Sequence, residues 1–191
     1  GWTVMAAGIT PPQGSTNIPE WPVLAKRDGD DWILNGSKLY VTNCGKADLV
    51  AFVGLTEDGE MRCFIVETSD PGVDDDHIES KLGLAGNGSG SYFLTDVRVS
   101  DEYSFPKNPL EGMGPGNALC AAVALGCAEG ALARTMDFVK ERSHKGKPVG
   151  ARQVVSHRIA RMWGAIEQSR ALIFEALGMA DRVIAGVNRS E

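Results

Sequence analysis

The chain of 191 residues is long enough for one large or two small domains, and 43% hydrophobic with 23% charged content is that of a folded globular protein rather than a disordered one. A net charge of -6 excludes a nucleic-acid surface built on a broad basic field. Cys44, Cys63, Cys120 and Cys127 lack metal or redox spacing and read as reduced thiols of a cytosol-like compartment, and His77, His144 and His157 stand apart, so no metal is expected.

From Trp2 to Ser104 short β-rich runs alternate with turn chemistry. The expected strands are Val23 to Arg27, Trp32 to Asn35, Lys38 to Thr42, Leu49 to Leu55, Met61 to Glu67, Ile78 to Leu82 and Ser91 to Val99. Turns are expected at Asp28-Gly29-Asp30, Asn35-Gly36, Glu57-Asp58-Gly59, Asp70-Pro71-Gly72 and Gly86-Asn87-Gly88-Ser89-Gly90. The last of these lacks the Lys of a phosphate loop and precedes a strand, so it reads as a hairpin turn. Strands of this number and spacing imply a small β-barrel or sandwich over residues 1–104.

Within the third run, alternation places Lys38, Tyr40 and Thr42 on one face and Leu39 and Val41 on the other. An aromatic ring beside a hydroxyl suits a flat heteroaromatic ligand, although a half-exposed hairpin has the same pattern.

Residues 105–116, rich in Pro and Gly, read as a linker. Beyond it Asn117 to His144 reads as a helix, with Asn117 as its N-cap and Leu119, Val123, Gly126, Gly130 and Ala131 on one face. Its glycines imply close approach of another helix. Val155, Ile159, Met162, Ile166, Ser169, Ile173, Ala176, Ala180 and Val183 then form a heptad stripe on a second long helix. Two helices cannot bury both faces, so residues 117–191 read as the start of an incomplete four-helix bundle within an α+β fragment. The longest small-apolar run, Ala118 to Leu125, is far below the roughly 20 residues of a membrane span.

Five motifs in order carry a resemblance. They are Gly8-Ile9-Thr10-Pro11-Pro12-Gln13-Gly14-Ser15-Thr16; Leu34-Asn35-Gly36-Ser37-Lys38-Leu39-Tyr40-Val41-Thr42-Asn43; Lys81-Leu82-Gly83-Leu84-Ala85-Gly86; Phe93-Leu94-Thr95-Asp96-Val97-Arg98-Val99; and Glu141-Arg142-Ser143-His144-Lys145-Gly146-Lys147-Pro148 followed by Gln153. Together they resemble the middle and early C-terminal parts of a flavin-dependent acyl-CoA dehydrogenase.

The resemblance implies a further helical domain before Gly1, further bundle helices after Glu191, and FAD held between the β domain and the bundle with help from a neighbouring subunit. It implies that Tyr40 stands where the family has a Trp against the flavin, that Thr10 and Thr42 direct hydroxyls at the ring, and that Ser15 helps to hold acyl-CoA. Arg142 and Gln153 then reach the FAD pyrophosphate and adenosine. The first motif departs most from the family pattern: Pro11 replaces a Glu, Thr16 an Asp, and the spacing is one residue short.

The implied reaction is α,β-dehydrogenation of an acyl-CoA thioester to the trans-2-enoyl-CoA, with electrons passed to an electron-transfer flavoprotein. A homodimer or homotetramer is implied, in the cytoplasm or, for a eukaryotic source, the mitochondrial matrix. The family base is a Glu located either beyond Glu191 or at the position of Gly116, before an Arg that is Asn117 here, so the chain supplies no base. Two other readings stay open: a flavin monooxygenase of the same fold, and a non-catalytic partner subunit.

Overall fold

The computed structural model of the chain describes residues 2–14, 23–105 and 113–184. The chain divides into two units, one through residue 109 and the other from residue 110.

The first unit is a mixed sheet of eight strands: β1 (Met5–Gly8), β2 (Leu24–Asp28), β3 (Asp31–Thr42), β4 (Leu49–Thr56), β5 (Met61–Glu67), β6 (Val73–Ile78), β7 (Ser89–Ser100) and β8 (Ser104–Phe105). Hydrogen-bonded neighbours run β6-β7-β3-β2-β4-β5-β8, and β1 pairs with β4. This path is open among the described residues, so strand pairing does not close a ring there. β1 and β2 both run parallel to β4, β1 beside Leu49 to Phe52 and β2 beside Leu55 and Thr56.

The Gly29-Asp30 turn joins β2 to β3 with Asp28 opposite Asp31, the two-residue hairpin that a left-handed glycine permits (φ 63° at Gly29). Asn35-Gly36, by contrast, is no turn. β3 runs straight through it for 12 residues, and the extra residue lies on β7, where Asp96 is left-handed (φ 51°). Asn35 stitches that bulge: its side-chain amide donates to Asp96 Oδ1 at 3.0 Å, and the Asp96 N–H donates to Asn35 Oδ1 at 3.0 Å.

Two further expectations shift. The strand expected at Ile78 to Leu82 is β6, Val73–Ile78, and β1 is a strand beyond the expected set. Half of β6 is acidic and β1 is four residues long with mostly small side chains, and pairing to β7 and β4 defines them.

The core gathers Leu34, Val50, Phe52, Phe64, Tyr92 and Val97 with their neighbours. Trp32 packs edge-on to Phe64 at 5.8 Å, and Phe52 packs edge-on to Tyr92 at 5.6 Å. Guanidinium groups of Arg27 and Arg62 lie 4.7 and 5.1 Å from the Trp32 ring centre. The indole N–H donates to Asp101 at 2.7 Å, and Arg27 donates to the same oxygen at 2.6 Å.

In the second unit, α1 (Met113–Glu141) and α2 (Gln153–Ile184) are joined by a short hairpin, β9 (Ser143–His144) and β10 (Lys147–Pro148), turning at left-handed Lys145 and Gly146. α1 starts four residues before Asn117, so Asn117 is the fifth helical residue, past the first turn, and is not the N-cap. The expected linker therefore ends in helix. Pro115 is tolerated there because first-turn N–H groups have no partner within the helix. α1 also stops before His144, which the hairpin takes.

α1 packs on α2 through Leu125, Leu132 and Val139, spaced by seven, and not through the expected face. Leu119 and Val123 are exposed, and nothing lies within 4 Å of a Cβ built on Gly126 or Gly130. On α2, Ile159, Ile166 and Ile173 turn inward while Met162, Ser169 and Ala176 stay exposed, so half of the heptad stripe is covered. Arg170 crosses to Glu129 at 2.8 Å. The window Pro115–Glu141 is long and apolar enough to span a membrane by length and composition, a property that helices in bundles share.

Candidate functional site

Three of the residues singled out in the sequence meet in the sheet unit. The expected alternation holds from Tyr40 to Thr42 but fails at Lys38, because β3 carries a bulge. Lys38 pairs with Tyr92 and Val41 with Gly90, so three steps on β3 match two on β7, and the extra residue falls at Leu39-Tyr40. Tyr40 is left-handed (φ 56°). The bulge resets the faces: Lys38 and Val41 are buried, while Tyr40, 67% exposed, and Thr42 face solvent. Lys38 does not share the face of Tyr40, a correction that follows from this one inserted residue.

The Thr10 loop arrives at the same place. Leaving β1 at Gly8, the chain sets the Ile9 carbonyl against the Lys38 ammonium (3.0 Å) and the Thr10 carbonyl against the Leu39 N–H (2.8 Å). Pro11 is fully buried, and the Gly14 N–H closes a turn on the Pro11 carbonyl at 3.0 Å, with Gly14 at φ 96°. Half-buried Thr10 therefore sits beside the Lys38-Leu39 peptide, one residue before Tyr40. Ser15, expected at acyl-CoA, lies outside the described residues.

Asn43 follows Thr42 in left-handed conformation (φ 65°). Its N–H donates to the Gly88 carbonyl at 2.8 Å and its side-chain amide to the Met5 carbonyl at 3.3 Å. Lys38 and Asn43 bracket the exposed segment and tie it to neighbouring backbone. Sequence reading named neither as a site residue, although both stand inside the second motif.

Arg142 and Gln153 belong to the helical unit and flank its hairpin. Arg142 follows α1 directly, its carbonyl accepting the Val149 N–H at 2.8 Å, and Gln153 opens α2. Both are exposed, as are Lys145, Lys147 and Arg152 on the same connection. Such a concentration of cations on backbone-ordered turns suits a diphosphate. The sheet site offers an open ring with two hydroxyls, and the hairpin offers cations. Each donor set fits the part of FAD that the motifs assign to it.

Burial sets the electrostatics beneath the sheet site. Removal from water pushes the Lys38 ammonium down to about 8. Burial also pushes up the thiol of Cys44, whose Sγ donates to the Asp75 carbonyl at 3.1 Å.

A family model described as acyl-CoA dehydrogenase, middle domain, matches residues 6–97, and one described as acyl-CoA dehydrogenase, C-terminal domain, matches residues 108–186. Acyl-CoA dehydrogenase FadE12 of Mycobacterium tuberculosis is 31% identical over 192 residues, covering 95% of this chain and 49% of the relative. The crystal structure of acyl-CoA dehydrogenase from Geobacillus kaustophilus matches with a TM-score of 0.85 at 25% identity, over 97% of this chain and 51% of that one. A glutaryl-CoA dehydrogenase from Mycobacterium smegmatis, solved in complex with FADH2, matches with a TM-score of 0.78 at 27% identity, over 92% and 46%. The chain spans about half the length of the curated relatives it matches. With both family models falling in order on a sheet unit and a helical unit, the chain belongs to the acyl-CoA dehydrogenase family.

Proposed function

We propose that this chain forms the cofactor-facing part of an enzyme that oxidises an acyl-CoA thioester to its trans-2-enoyl-CoA, with electrons leaving to an electron-transfer flavoprotein. The observation that carries the reading is the bulge in β3, which turns Tyr40 and Thr42 outward beside the Thr10 loop. Family membership supports it, as does the FADH2 held by the related glutaryl-CoA dehydrogenase. FAD, when bound, supplies the acceptor for the two electrons withdrawn from the acyl chain.

The residues of this chain bind and orient. Tyr40 offers a ring face, Thr10 and Thr42 offer hydroxyls, and Arg142 with Gln153 would hold the diphosphate and adenosine ends. Ser15 would contact the acyl-CoA. Gly116, in the first turn of α1, has no side chain to take the α-proton, so that role falls to a carboxylate elsewhere in the enzyme. The open halves of the α1 and α2 faces, with Leu119, Val123, Met162 and Trp163 exposed, favour further bundle helices and a homodimer or homotetramer.

The test uses full-length protein with FAD, saturated acyl-CoA thioesters of several chain lengths, and either an artificial dye or electron-transfer flavoprotein as acceptor. Formation of enoyl-CoA with reduction of the acceptor is expected. No oxidation at any chain length would overturn the reading, and oxygen consumption with a hydroxylated product would replace it with monooxygenase chemistry.

A further inference from the structure

Lys38 is the largest charged side chain in the sheet core, 0% exposed and level with Tyr92 in the β3-β7 ladder. Its stem runs under the end of β1, where a Cβ built on Gly8 would stand 3.4 Å from Lys38 Cγ and 2.5 Å from Phe52 Cδ1. Strand and lysine are in direct contact because residue 8 has no side chain. The ammonium emerges at the Ile9 carbonyl, 3.0 Å away.

The next residue on β3 continues the pattern. The bulge removes Leu39 from the ladder with β7, and its N–H donates instead to the Thr10 carbonyl at 2.8 Å. Two consecutive strand residues thus hold two consecutive loop carbonyls, one by a side chain and one by backbone. Thr10 is fixed on one side of this pair and Tyr40 follows it on the other.

An ammonium placed in a core costs several kcal/mol before compensation, and an apolar side chain of the same length fills the same space without that cost. Burial pushes its pKa down to about 8, and the Ile9 carbonyl at 3.0 Å accepts a hydrogen bond from it. The stem of Lys38 packs in the core, and its charged end reaches the Thr10 loop at the Ile9 carbonyl.

We propose that Lys38 is the positioning residue of the cofactor-facing site, its ammonium fixing the Ile9-Thr10 peptide against the β3 bulge and so setting the Thr10 hydroxyl relative to the Tyr40 ring. The proposal rests on the reading of Thr10 and Tyr40 as flavin-facing and adds the group that holds them in register. In this role Lys38 acts through the Ile9 carbonyl that it holds.

The test compares full-length wild type with Lys38→Met, which keeps the length of the side chain and removes the donor. In protein stripped of FAD, the Leu39 amide is expected to exchange with solvent at least tenfold faster in the variant, while the Phe52 amide in β4 exchanges as before. On adding FAD, its dissociation constant is expected to rise at least tenfold and the visible absorption of the bound flavin to shift, a change that loss of general stability does not produce. Unchanged Leu39 exchange, or faster exchange with unaltered FAD affinity and spectrum, would overturn the proposal.

If Lys38→Met does not fold, wild type carrying 15N-labelled lysine gives the answer. Slowly exchanging Lys38 ammonium protons with cross-peaks to Ile9 and Thr10 support the contact, and their absence overturns it. Wild type that takes up no FAD would overturn the flavin reading alone, and Leu39 exchange would then decide the Lys38 contact by itself.

Discussion

Gly8 and Phe52 meet with no room for a methyl group between them: a Cβ on Gly8 would lie 2.5 Å from Phe52 Cδ1 and 2.7 Å from Cε1. Phe52 is fully buried and packs edge-on to Tyr92, so its ring cannot swing aside without opening the core. Gly8→Ala is therefore expected to cost about 1 to 3 kcal/mol, the usual range for overpacking. Urea unfolding of the two proteins measures it, and the Leu39 amide reports whether the Thr10 loop lifts with the strand.

Tyr40 holds a left-handed backbone (φ 56°) with most of its ring in solvent. Tyr40→Gly removes the steric cost of that conformation and loses little burial, so stability is expected to rise by about 0.5 to 1 kcal/mol after the entropy of the unfolded glycine is counted. FAD affinity is expected to fall about tenfold as the ring face disappears. Thermal unfolding together with flavin titration checks both signs.

Lys38 contributes a pH dependence of unusual direction. Its folded-state value of about 8 lies below the ordinary 10.5, so above pH 8 the unfolded chain holds more protons than the folded one. The burial penalty is fully present below pH 8 and relieved as pH rises toward 10.5. Relative to Lys38→Met, wild type is expected to gain roughly 2 to 3 kcal/mol between pH 7 and pH 10.5. Paired urea titrations at the two pH values measure this difference and cancel groups common to both proteins.

Asp101 works in the opposite sense. The Trp32 indole N–H first, then Arg27, hold its carboxyl down at about 2. A lowered carboxylate value means that its stabilisation is present above the ordinary value near 3.8 and is lost as pH falls toward 2. Asp101→Asn should flatten the acid limb of the stability profile, read as thermal midpoints from pH 5 down to pH 2. An unchanged profile would show that the Arg27-Trp32-Arg62 stack stands without the carboxylate.

Arg142 lies exposed on the α1-α2 connection, so Arg142→Ala is expected to leave unfolding within about 0.5 kcal/mol of wild type. A guanidinium hydrogen-bonded to a phosphate contributes about 1.5 to 3 kcal/mol, which predicts a loss of FAD affinity of tenfold or more. Flavin titration of full-length protein separates the two effects.

What was legible in the sequence was local. Gly29-Asp30 between alternating runs has one conformational use, and the β2-β3 turn forms there. Met61 to Glu67 is a strand with the expected bounds, and the heptad of α2 is a helix because its spacing allows nothing else. The motif order likewise lies in the residues themselves, and with it the family.

What the tertiary structure decided depends on partners far along the chain. Asn35-Gly36 has hairpin chemistry, yet β3 continues because Asp96, 61 residues away, supplies the bulge and bonds to Asn35 in both directions. Alternation placed Lys38 beside Tyr40, and the β3-β7 register separated them by inserting one residue. The contact face of α1 was misplaced for the same reason: small residues mark where a helix can approach, but the partner selects Leu125, Leu132 and Val139. Residue types and spacing thus determined which elements form and which family they belong to. Long-range pairing decided which side chains turn outward, because one bulge reverses every face that follows it.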